Sequence, residues 1–281
     1  MTPDERDRRF AGSAVARWSE FPVHADPRPI VLLEDAARAE DGFATAEAKL
    51  AFLTGAIDAS KGVPEEVIRL MGRAEVRARP ARAALRIDSA AAAEAAFATD
   101  RGRKTLPAWR VVAADARGPI WLLTEEALTR CWSPPERSED DNPGGAGPHV
   151  LSSAALGPGG RDLTVDIVGG SEALFDYDAE VVEETAAVAV IPRARLKKVL
   201  VGPTAISAEG HPRGIRAHLS EPLGSRVLVN LDATPVEVQD SSTVGETASR
   251  ERKDPWLGQL PIADVRNVQA IPERCWLRSL P

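Results

Sequence analysis

Cysteine, tyrosine and methionine are scarce in this chain of 281 residues, which holds two Cys, one Tyr and two Met. Two cysteines exclude a small disulfide-stapled scaffold and agree with a reducing compartment. No run approaches the roughly 18 apolar residues of a membrane helix. The first residues, MTPDERDRRF, carry charge where a secretion signal has an apolar segment. We therefore expect a soluble, cytoplasmic protein that does not enter a membrane.

An excess of positive charge is also missing, because 42 acidic residues outnumber 35 basic ones and give a net charge of −7. This balance argues against general binding to nucleic acids or to anionic membranes. The 43% of hydrophobic residues is ordinary for a globular protein with a real core. Abundant Ala, Arg, Pro and Gly are typical of a GC-rich bacterial genome, so the number of arginines is not by itself a functional signal.

Helical and strand patterns alternate in the first half of the chain. Residues 1–27 predict a helical arm, and residues 28–133 predict a mixed α/β domain. We expect five helices in this half: a short one carrying Phe10, Val15 and Trp18, one capped by Thr45 with Leu50, Leu53 and Ile57 on one face, one from Pro64 to Gly72, an alanine-rich one at Ala90–Phe97, and a last one capped by Thr124. The strands that we expect are Ile30–Leu33, a weak strand over 81–87, and a hairpin of Trp109–Ala114 with Ile120–Leu123.

The pattern changes after a segment rich in Pro, Gly and charge at residues 134–149, which predicts a linker. Apolar residues then alternate with polar ones over residues 150–240, which predicts short antiparallel strands in a sandwich or barrel. Residues 241–281 predict an exposed loop and a C-terminal tail that docks on a domain. The expected fold class is α+β, an N-terminal mixed α/β domain followed by an antiparallel β-sandwich or barrel-like domain.

The segment "IRAHLSEPLGSRVLVNLDATPVEV" at residues 215–238 resembles the end of a module that recurs in uncharacterised bacterial proteins, several of them secreted or membrane-anchored. The stretches "FATDRGRKTLPAWRV" and "GPIWLL" are similar in kind. The resemblance covers residues 95–132 and 150–240 and rests on turns and strand patterns. It implies a β-rich C-terminal domain and no particular chemistry.

Motifs that carry catalysis or cofactor binding are absent from the sequence. There is no phosphate-binding loop of the GxxxxGK[ST] or GxGxxG type, and no GxSxG around a serine nucleophile. His211 and His218 stand seven residues apart, which places them on opposite sides of a strand and disfavours a shared zinc ion. We therefore expect no cofactor and no metal, and we assign no catalytic residue.

Residues 69–110 hold ten basic side chains against four acidic ones. The candidate interaction residues in this stretch are Arg73, Arg77, Arg79, Arg82 and Arg86. They can meet an acidic protein partner or phosphates, or they can form a solvated face that balances acidic neighbours. Aromatic residues for base stacking are sparse here, which disfavours a nucleic acid.

The two cysteines, Cys131 and Cys275, both stand in the tripeptide Arg-Cys-Trp. We interpret both copies as apolar helix ends pressed onto a domain, with Leu128, Cys131 and Trp132 sharing one helical face, and we keep a Cys131–Cys275 disulfide as the alternative. Trp109 and Trp121 are expected to be core anchors, with a groove lining as the alternative.

Three functional hypotheses follow. The first is a non-catalytic module for binding a protein partner or for homo-oligomerisation. The alternative is an enzyme of unrecognised class, with a site in an inter-domain cleft that uses residues from the set His149, His211, His218, Asp166 and Glu180. The third is a nucleic-acid binder that uses the residues between Arg73 and Arg86.

Overall fold

The computed structural model describes residues 2–72, 81–134, 150–197 and 210–240. The helices are α1 (Pro3–Ala16), α2 (Ala46–Leu53), α3 (Glu65–Met71) and α4 (Glu125–Thr129). The strands are β1 (Ala37–Ala39), β2 (Ile57–Ala59), β3 (Leu85–Thr99), β4 (Gly102–Ala113), β5 (Ile120–Leu123), β6 (Leu151–Leu156), β7 (Asp162–Gly169), β8 (Phe175–Glu183), β9 (Ala187–Leu196), β10 (His211–His218), β11 (Val227–Val229) and β12 (Val238–Asp240). The fold is α+β, as the sequence predicts, with strands predominating. Within these four ranges, no helix is long and apolar enough to cross a membrane.

The first sheet contains β1 to β5 in the order β1-β5-β4-β3-β2. Its centre is the long antiparallel hairpin of β3 and β4. The outer neighbours are short: β2 pairs with β3 only over residues 85–87, and β5 pairs with β4 only over residues 108–111. Much of the hairpin therefore extends beyond its neighbouring strands.

Each face of the first sheet is covered by its own apolar cluster. One cluster joins α2 and α3 to the sheet through the buried residues Ala48, Ala51, Val67, Leu70, Met71, Leu85, Ile87, Val111, Ile120 and Leu122. The other cluster contains Ile30, Ala95, Phe97, Leu106, Ala108, Leu123 and Ala127. Successive strand residues point to opposite faces, which is why Leu122 and Leu123 belong to different clusters.

The predicted helix caps are confirmed. The hydroxyls of Thr45 and Thr124 accept the N–H groups of Ala48 and Ala127, which otherwise have no partner in the first helical turn. Gly72 is the C-cap of α3, as expected.

The alanine-rich helix predicted at Ala90–Phe97 is wrong, because these residues lie within β3. Alanine has the strongest intrinsic preference for helix, yet propensity is a weak prior that tertiary contacts override. Here β3 pairs with β4 up to Thr99, and Phe97 is fully buried against one face of the sheet. The strand is selected by non-local pairing.

Two smaller predictions in this region also need correction. Ile30–Leu33 is not a regular strand, since Ile30 and Leu32 form only isolated bridges with Cys131 and Thr99. Ile57 does not share a helical face with Leu50, because α2 ends at Leu53 and Ile57 begins β2.

Trp109 and Trp121 are partly buried at the margins of the two clusters. Trp109 packs against the cluster under α2 and α3, and Trp121 packs against the opposite one. The indole N–H of Trp121 donates to a carboxylate oxygen of Glu40 at 3.1 Å. The packing agrees with the core-anchor interpretation of both residues.

Residues 150–240 contain two further sheets. The second sheet has the order β10-β7-β6-β12 and the third has the order β11-β9-β8. Side chains of both sheets meet in one cluster: Leu151, Ala154, Leu163, Val165, Ile167, Val188, Val190, Ile215, Ala217, Leu219, Leu223, Leu228, Val236 and Val238. The prediction of purely antiparallel strands is wrong at two places, because β12 pairs with β6 and β11 pairs with β9 in parallel.

The predicted N-terminal helix is present as α1 and lies against the third sheet. Trp18, just after α1, is fully buried, and its indole N–H donates to the carbonyl of Ala233 at 3.0 Å. The guanidinium of Arg193 on β9 lies 3.1 Å from Asp4 and 3.0 Å from Asp7, both on α1. Apolar burial and ion pairs thus hold α1 in place.

Asp100, in the turn of the β3–β4 hairpin, connects the first sheet to residues 210–240. Its buried carboxylate binds Arg28 through two hydrogen bonds of 2.5 and 3.1 Å, and its backbone carbonyl accepts the N–H of Val238 at 3.0 Å. Arg101 donates to the carbonyls of Gly224 and Arg226. We call this set of contacts the Asp100 junction.

Cys131 and Trp132 do not continue a helical face with Leu128, because α4 ends at Thr129. Cys131 forms a parallel bridge with Ile30, and the ring of Trp132 packs against that of Trp18 with centroids 5.0 Å apart and a tilt of 39°. Cys131 is a half-buried free thiol, and burial raises its pKa. Cys275 lies outside the described residues, as do the predicted linker beyond Pro134 and the tail after Asp240.

Residues Met1–Val244 cluster as one compact unit. The division of the chain into domains at residues 28–133 and 150–240 stays a prediction.

Candidate functional site

The predicted arginine surface falls only partly within the described ranges, which omit Arg73, Arg77 and Arg79. Arg82 and Arg86 are exposed. The backbone N–H of Arg82 donates to the carboxylate of Glu47, and the guanidinium of Arg86 lies 3.1 Å from Asp88. A role for this arginine set in binding a partner stays a prediction.

Other basic residues of the same stretch have separate structural partners. Arg69 on α3 forms an ion pair of 2.5 Å with Glu125 on α4. Arg101 belongs to the Asp100 junction, and burial lowers the pKa of its guanidinium. Arg69 and Arg101 are therefore engaged in structural contacts at different places in the fold.

The residues considered for catalysis are dispersed. His211 and His218 lie at opposite ends of β10, and Nδ1 of His218 is 2.8 Å from Asp162 in an exposed pair. Asp166 accepts the hydroxyl of Ser153 at 2.7 Å. Glu180 lies between Arg8 and Arg193. Its pKa is lowered, and the largest cause is the hydrogen bond from Arg8. His149 is outside the described residues, and among those described no group of three metal-ligating side chains is found.

A pocket of about 570 Å³ opens between the end of β8 and the loop after β10. Its lining includes Val23, His24, Glu183, Glu184, Glu221 and Arg226. No described residue of the catalytic set lines it. The carboxylate of Glu183 accepts the N–H of Ser220 at 2.7 Å and the guanidinium of Arg226 at 2.8 Å. Burial alone raises the pKa of Glu183, but these two partners outweigh it and the net pKa is lowered. Glu183 is thus an ionised structural group at the pocket wall.

The middle of β3 forms an open strand edge. Beyond residues 85–87, where β2 ends its pairing, no described strand lies beside β3 on the side away from β4. At the far end, Leu33 donates its N–H to Ala98. We call residues 88–95, between these two contacts, the open edge of β3.

The backbone groups of this edge point away from the hairpin. Ala98 turns both groups away from β4, because its N–H donates to Glu34 and its carbonyl accepts Leu33. Backbone direction alternates along an antiparallel strand, so Ala90, Ala92 and Glu94 turn their N–H and C=O groups outward in the same way. The open edge therefore presents six backbone hydrogen-bonding groups.

Apart from the charged Asp88 and Glu94, the side chains of residues 88–94 are small, and they are accessible on both faces. Ser89, Ala91, Ala92 and Glu94 are exposed, and Ala90 and Ala93 are partly exposed. Methyl groups leave room for another backbone to approach to the normal strand spacing of about 4.8 Å. The open edge can thus accept an additional strand without rearrangement of side chains.

Both ends of the open edge are closed by specific contacts. At one end, the carbonyl of Ile87 accepts the N–H of Ser60 at 2.9 Å. At the other end, the carbonyl of Ala96 accepts the guanidinium groups of Arg38 at 3.0 Å and Arg103 at 3.1 Å. The exposed backbone is therefore limited to a short and defined segment.

The edge strand β10 of the second sheet differs from the centre of the open edge of β3 in its protection. Pro212 has no N–H to offer, and Arg216 on the same strand is charged and exposed. Proline and charge on an edge strand discourage pairing with another chain. The open edge of β3 has no proline, and its charged residues, Asp88 and Glu94, stand near its two ends, so residues 90–93 carry neither proline nor charge.

This edge is not visible in the sequence, because the alanine-rich pattern of residues 90–97 predicts a helix. An unpaired edge can be identified only when the order and the lengths of the strands in the sheet are known. No protein-family model, curated protein or solved structure matches the chain.

Proposed function

We propose that the chain is a non-catalytic protein-interaction module that adds a strand of its partner to the open edge of β3. Extended segments bind exposed sheet edges through backbone hydrogen bonds, which supply affinity without a particular side-chain sequence. The carrying observation is the run Ala90, Ala92 and Glu94, whose outward N–H and C=O groups meet no described strand. Natural sheets usually protect such an edge with proline or charge, and residues 90–93 carry neither, which supports pairing at the centre of this edge.

The proposal includes the finer architecture of residues 150–240 and the location of the protein. We interpret the second and third sheets as a β-sandwich, because they share one apolar cluster. A cytoplasmic location is supported by the scarcity of cysteine and by the free thiol of Cys131.

The test compares proline at two edge strands. Ala92→Pro removes an outward N–H from β3. Gly214→Pro makes the matching change on β10, because Pro212, which has no N–H to donate to β7, places residues 212 and 214 among those whose backbone nitrogen faces outward. Partner binding is measured by affinity capture from the native host with each variant, and amide hydrogen exchange of the captured complex locates the contact. We expect Ala92→Pro to lose the partner and Gly214→Pro to keep it, with slowed exchange at Ala90, Ala92 and Glu94 in the complex.

Equal capture by both variants, or unchanged exchange at the three amides in a captured complex, would contradict strand addition at β3. Circular dichroism and the midpoint of thermal unfolding establish that both variants are folded before capture.

A further inference from the structure

We propose that the partner strand is a short extended segment of another protein, about seven residues long, which pairs antiparallel with residues 89–95 and sets a lysine or arginine opposite Glu94. This inference rests on the proposed function, because it names the occupant of the open edge of β3. The length of the segment follows from the two contacts that close the edge. Its charge follows from the surroundings of Glu94.

The room for a partner strand is limited at both ends of the open edge. The N–H of Ser60 donates to the carbonyl of Ile87 at 2.9 Å, and the N–H of Leu33 donates to the carbonyl of Ala98 at 3.0 Å. Between these contacts, residues 89–95 extend over roughly 20 Å at a strand rise of about 3.3 Å per residue. A strand as long as β3 itself does not fit there, because it would run into β2 or into the segment around Leu33. A short segment that leaves the sheet at both ends does fit.

The backbone of the open edge fixes where the residues of the segment stand. In an antiparallel pair, Ala90, Ala92 and Glu94 each exchange their outward N–H and C=O groups with one residue of the segment. The segment residue opposite Glu94 comes first, and the residues opposite Ala92 and Ala90 follow two and four positions later. We choose the antiparallel arrangement because parallel pairing is slightly less stable per residue. The basic residue therefore has a defined position relative to the backbone contacts.

Glu94 brings an uncompensated negative charge to this edge. Its side chain is exposed, and its carboxylate has no ion-pair or hydrogen-bond partner among the residues that the structure describes. The residue opposite it across the hairpin is Pro107, which carries no charge. Opposite charges on directly facing residues stabilise an antiparallel pair, whereas like charges destabilise it. A lysine or arginine of the segment is therefore favoured opposite Glu94.

Other charged groups beside the edge are already paired. Asp88 lies 3.1 Å from Arg86, and Arg38 lies 3.6 Å from Glu34. These pairs leave the charge of Glu94 for a partner. The net charge of −7 also favours the approach of a cationic segment over an acidic one.

Selection from a phage-displayed library of random heptapeptides tests the class of partner. The library is selected on the full chain, on Ala92→Pro and on Glu94→Lys, after circular dichroism has established that each is folded. We expect the wild type to enrich peptides with Lys or Arg at one aligned position. Glu94→Lys should enrich Asp or Glu at that position, and Ala92→Pro should retain none of the wild-type peptides. The matched control Glu184→Lys reverses another exposed carboxylate and should select the same peptides as the wild type.

Calorimetric titration with one selected peptide measures the charge pair and the register. At low salt, Glu94→Lys should weaken binding about 5-fold, and a peptide with glutamate in place of its basic residue should recover most of that loss on Glu94→Lys alone. Methylation of the peptide nitrogen two positions after the basic residue should abolish binding, because that N–H donates to the carbonyl of Ala92. Methylation of the next nitrogen, which faces away from β3, should not.

The outcomes separate this inference from the proposed function. Selected peptides that bind Ala92→Pro as tightly as the wild type contradict strand addition itself. Peptides that require Ala92 but carry no common basic residue, or that bind Glu94→Lys equally well, overturn the charge pair and leave strand addition standing. A library that yields no binder overturns the short segment as partner, and self-association of the wild type that Ala92→Pro abolishes overturns a foreign protein as the occupant.

Discussion

Charged side chains with little exposure are stabilised in this protein by defined partners. Glu183 illustrates the pattern, since its side chain is 18% exposed and it binds both the N–H of Ser220 and the guanidinium of Arg226. A lone carboxylate in such a position would be destabilising, because burial disfavours its ionised form. The paired carboxylate instead keeps a lowered pKa, which links its ionisation to folding.

We predict that Glu183→Gln lowers the free energy of unfolding at pH 7 by about 1–3 kcal/mol, because it removes a charge-assisted hydrogen bond. The pKa of Glu183 is lower in the folded protein than in the unfolded chain. Its stabilisation is therefore present above the unfolded pKa and is lost as the pH falls through the folded value. Urea unfolding between pH 7 and pH 3 should show a smaller loss of stability on acidification in Glu183→Gln than in the wild type.

The adjacent Glu184→Gln is the matched control, because Glu184 is exposed and loses the same charge. We expect it to change stability by less than about 0.5 kcal/mol. Parallel pH profiles for Glu183→Gln and the wild type would show that the Glu183 carboxylate does not contribute through its ionisation.

At the scale of secondary-structure elements, glycine has opposite roles in the β3–β4 hairpin and in α1. Gly102 has φ +81° at the start of β4, a conformation that L-residues rarely adopt, and a Cβ added there meets no atom within 4 Å. Gly12 lies inside α1 with ordinary backbone angles and is also free of contacts within 4 Å. An added Cβ meets no neighbour at either position, so an alanine substitution at each one reports the effect of backbone conformation and not of packing.

We predict that Gly102→Ala lowers the free energy of unfolding by about 1–2 kcal/mol, because it forces a left-handed conformation on alanine. Gly12→Ala should raise it by about 0.5–1 kcal/mol, because alanine has the better helix propensity. Chemical denaturation of both variants measures the two changes. A loss of stability in both would indicate that contacts, and not backbone angles, control these positions.

At the scale of the whole molecule, the Asp100 junction ties the first sheet to residues 210–240. The Asp100 side chain is 2% exposed and pairs with Arg28, whose Nε–H also donates to the carbonyl of Ser225 at 2.9 Å. Removing one partner of a buried ion pair is costly because the other charge is left without compensation. The tip of a single hairpin thus connects parts of the chain that are more than 120 residues apart in sequence.

We predict that Asp100→Ala lowers the free energy of unfolding by about 3–5 kcal/mol. The control Asp58→Ala removes an exposed carboxylate from β2 and should change stability by less than about 0.5 kcal/mol. Denaturation followed by tryptophan fluorescence and by circular dichroism measures both. Similar small effects in the two variants would contradict a stabilising role for the junction.

Much of the local structure was predictable because its causes lie close together in sequence. Thr45 and Thr124 cap their helices through N–H groups three residues away, and the Ile120–Leu123 strand follows from its apolar pattern. The candidate site was not predictable in this way. The arginine cluster was visible as a count of charges, whereas the open edge of β3 depends on which strands stop short beside it.

The sequence by itself determined the α+β class, the acidic balance, the capped helices and the alternating strands of the second half, because propensity and period act over a few residues. Only the tertiary structure decided that Ala90–Phe97 is a strand, that β11 and β12 pair in parallel, and that Asp100 is buried beside Arg28. These features arise from contacts between distant segments, and such contacts override the helix propensity of alanine by pairing its backbone and burying its neighbours. The same long-range pairing leaves one edge of β3 open, which is where we place the function.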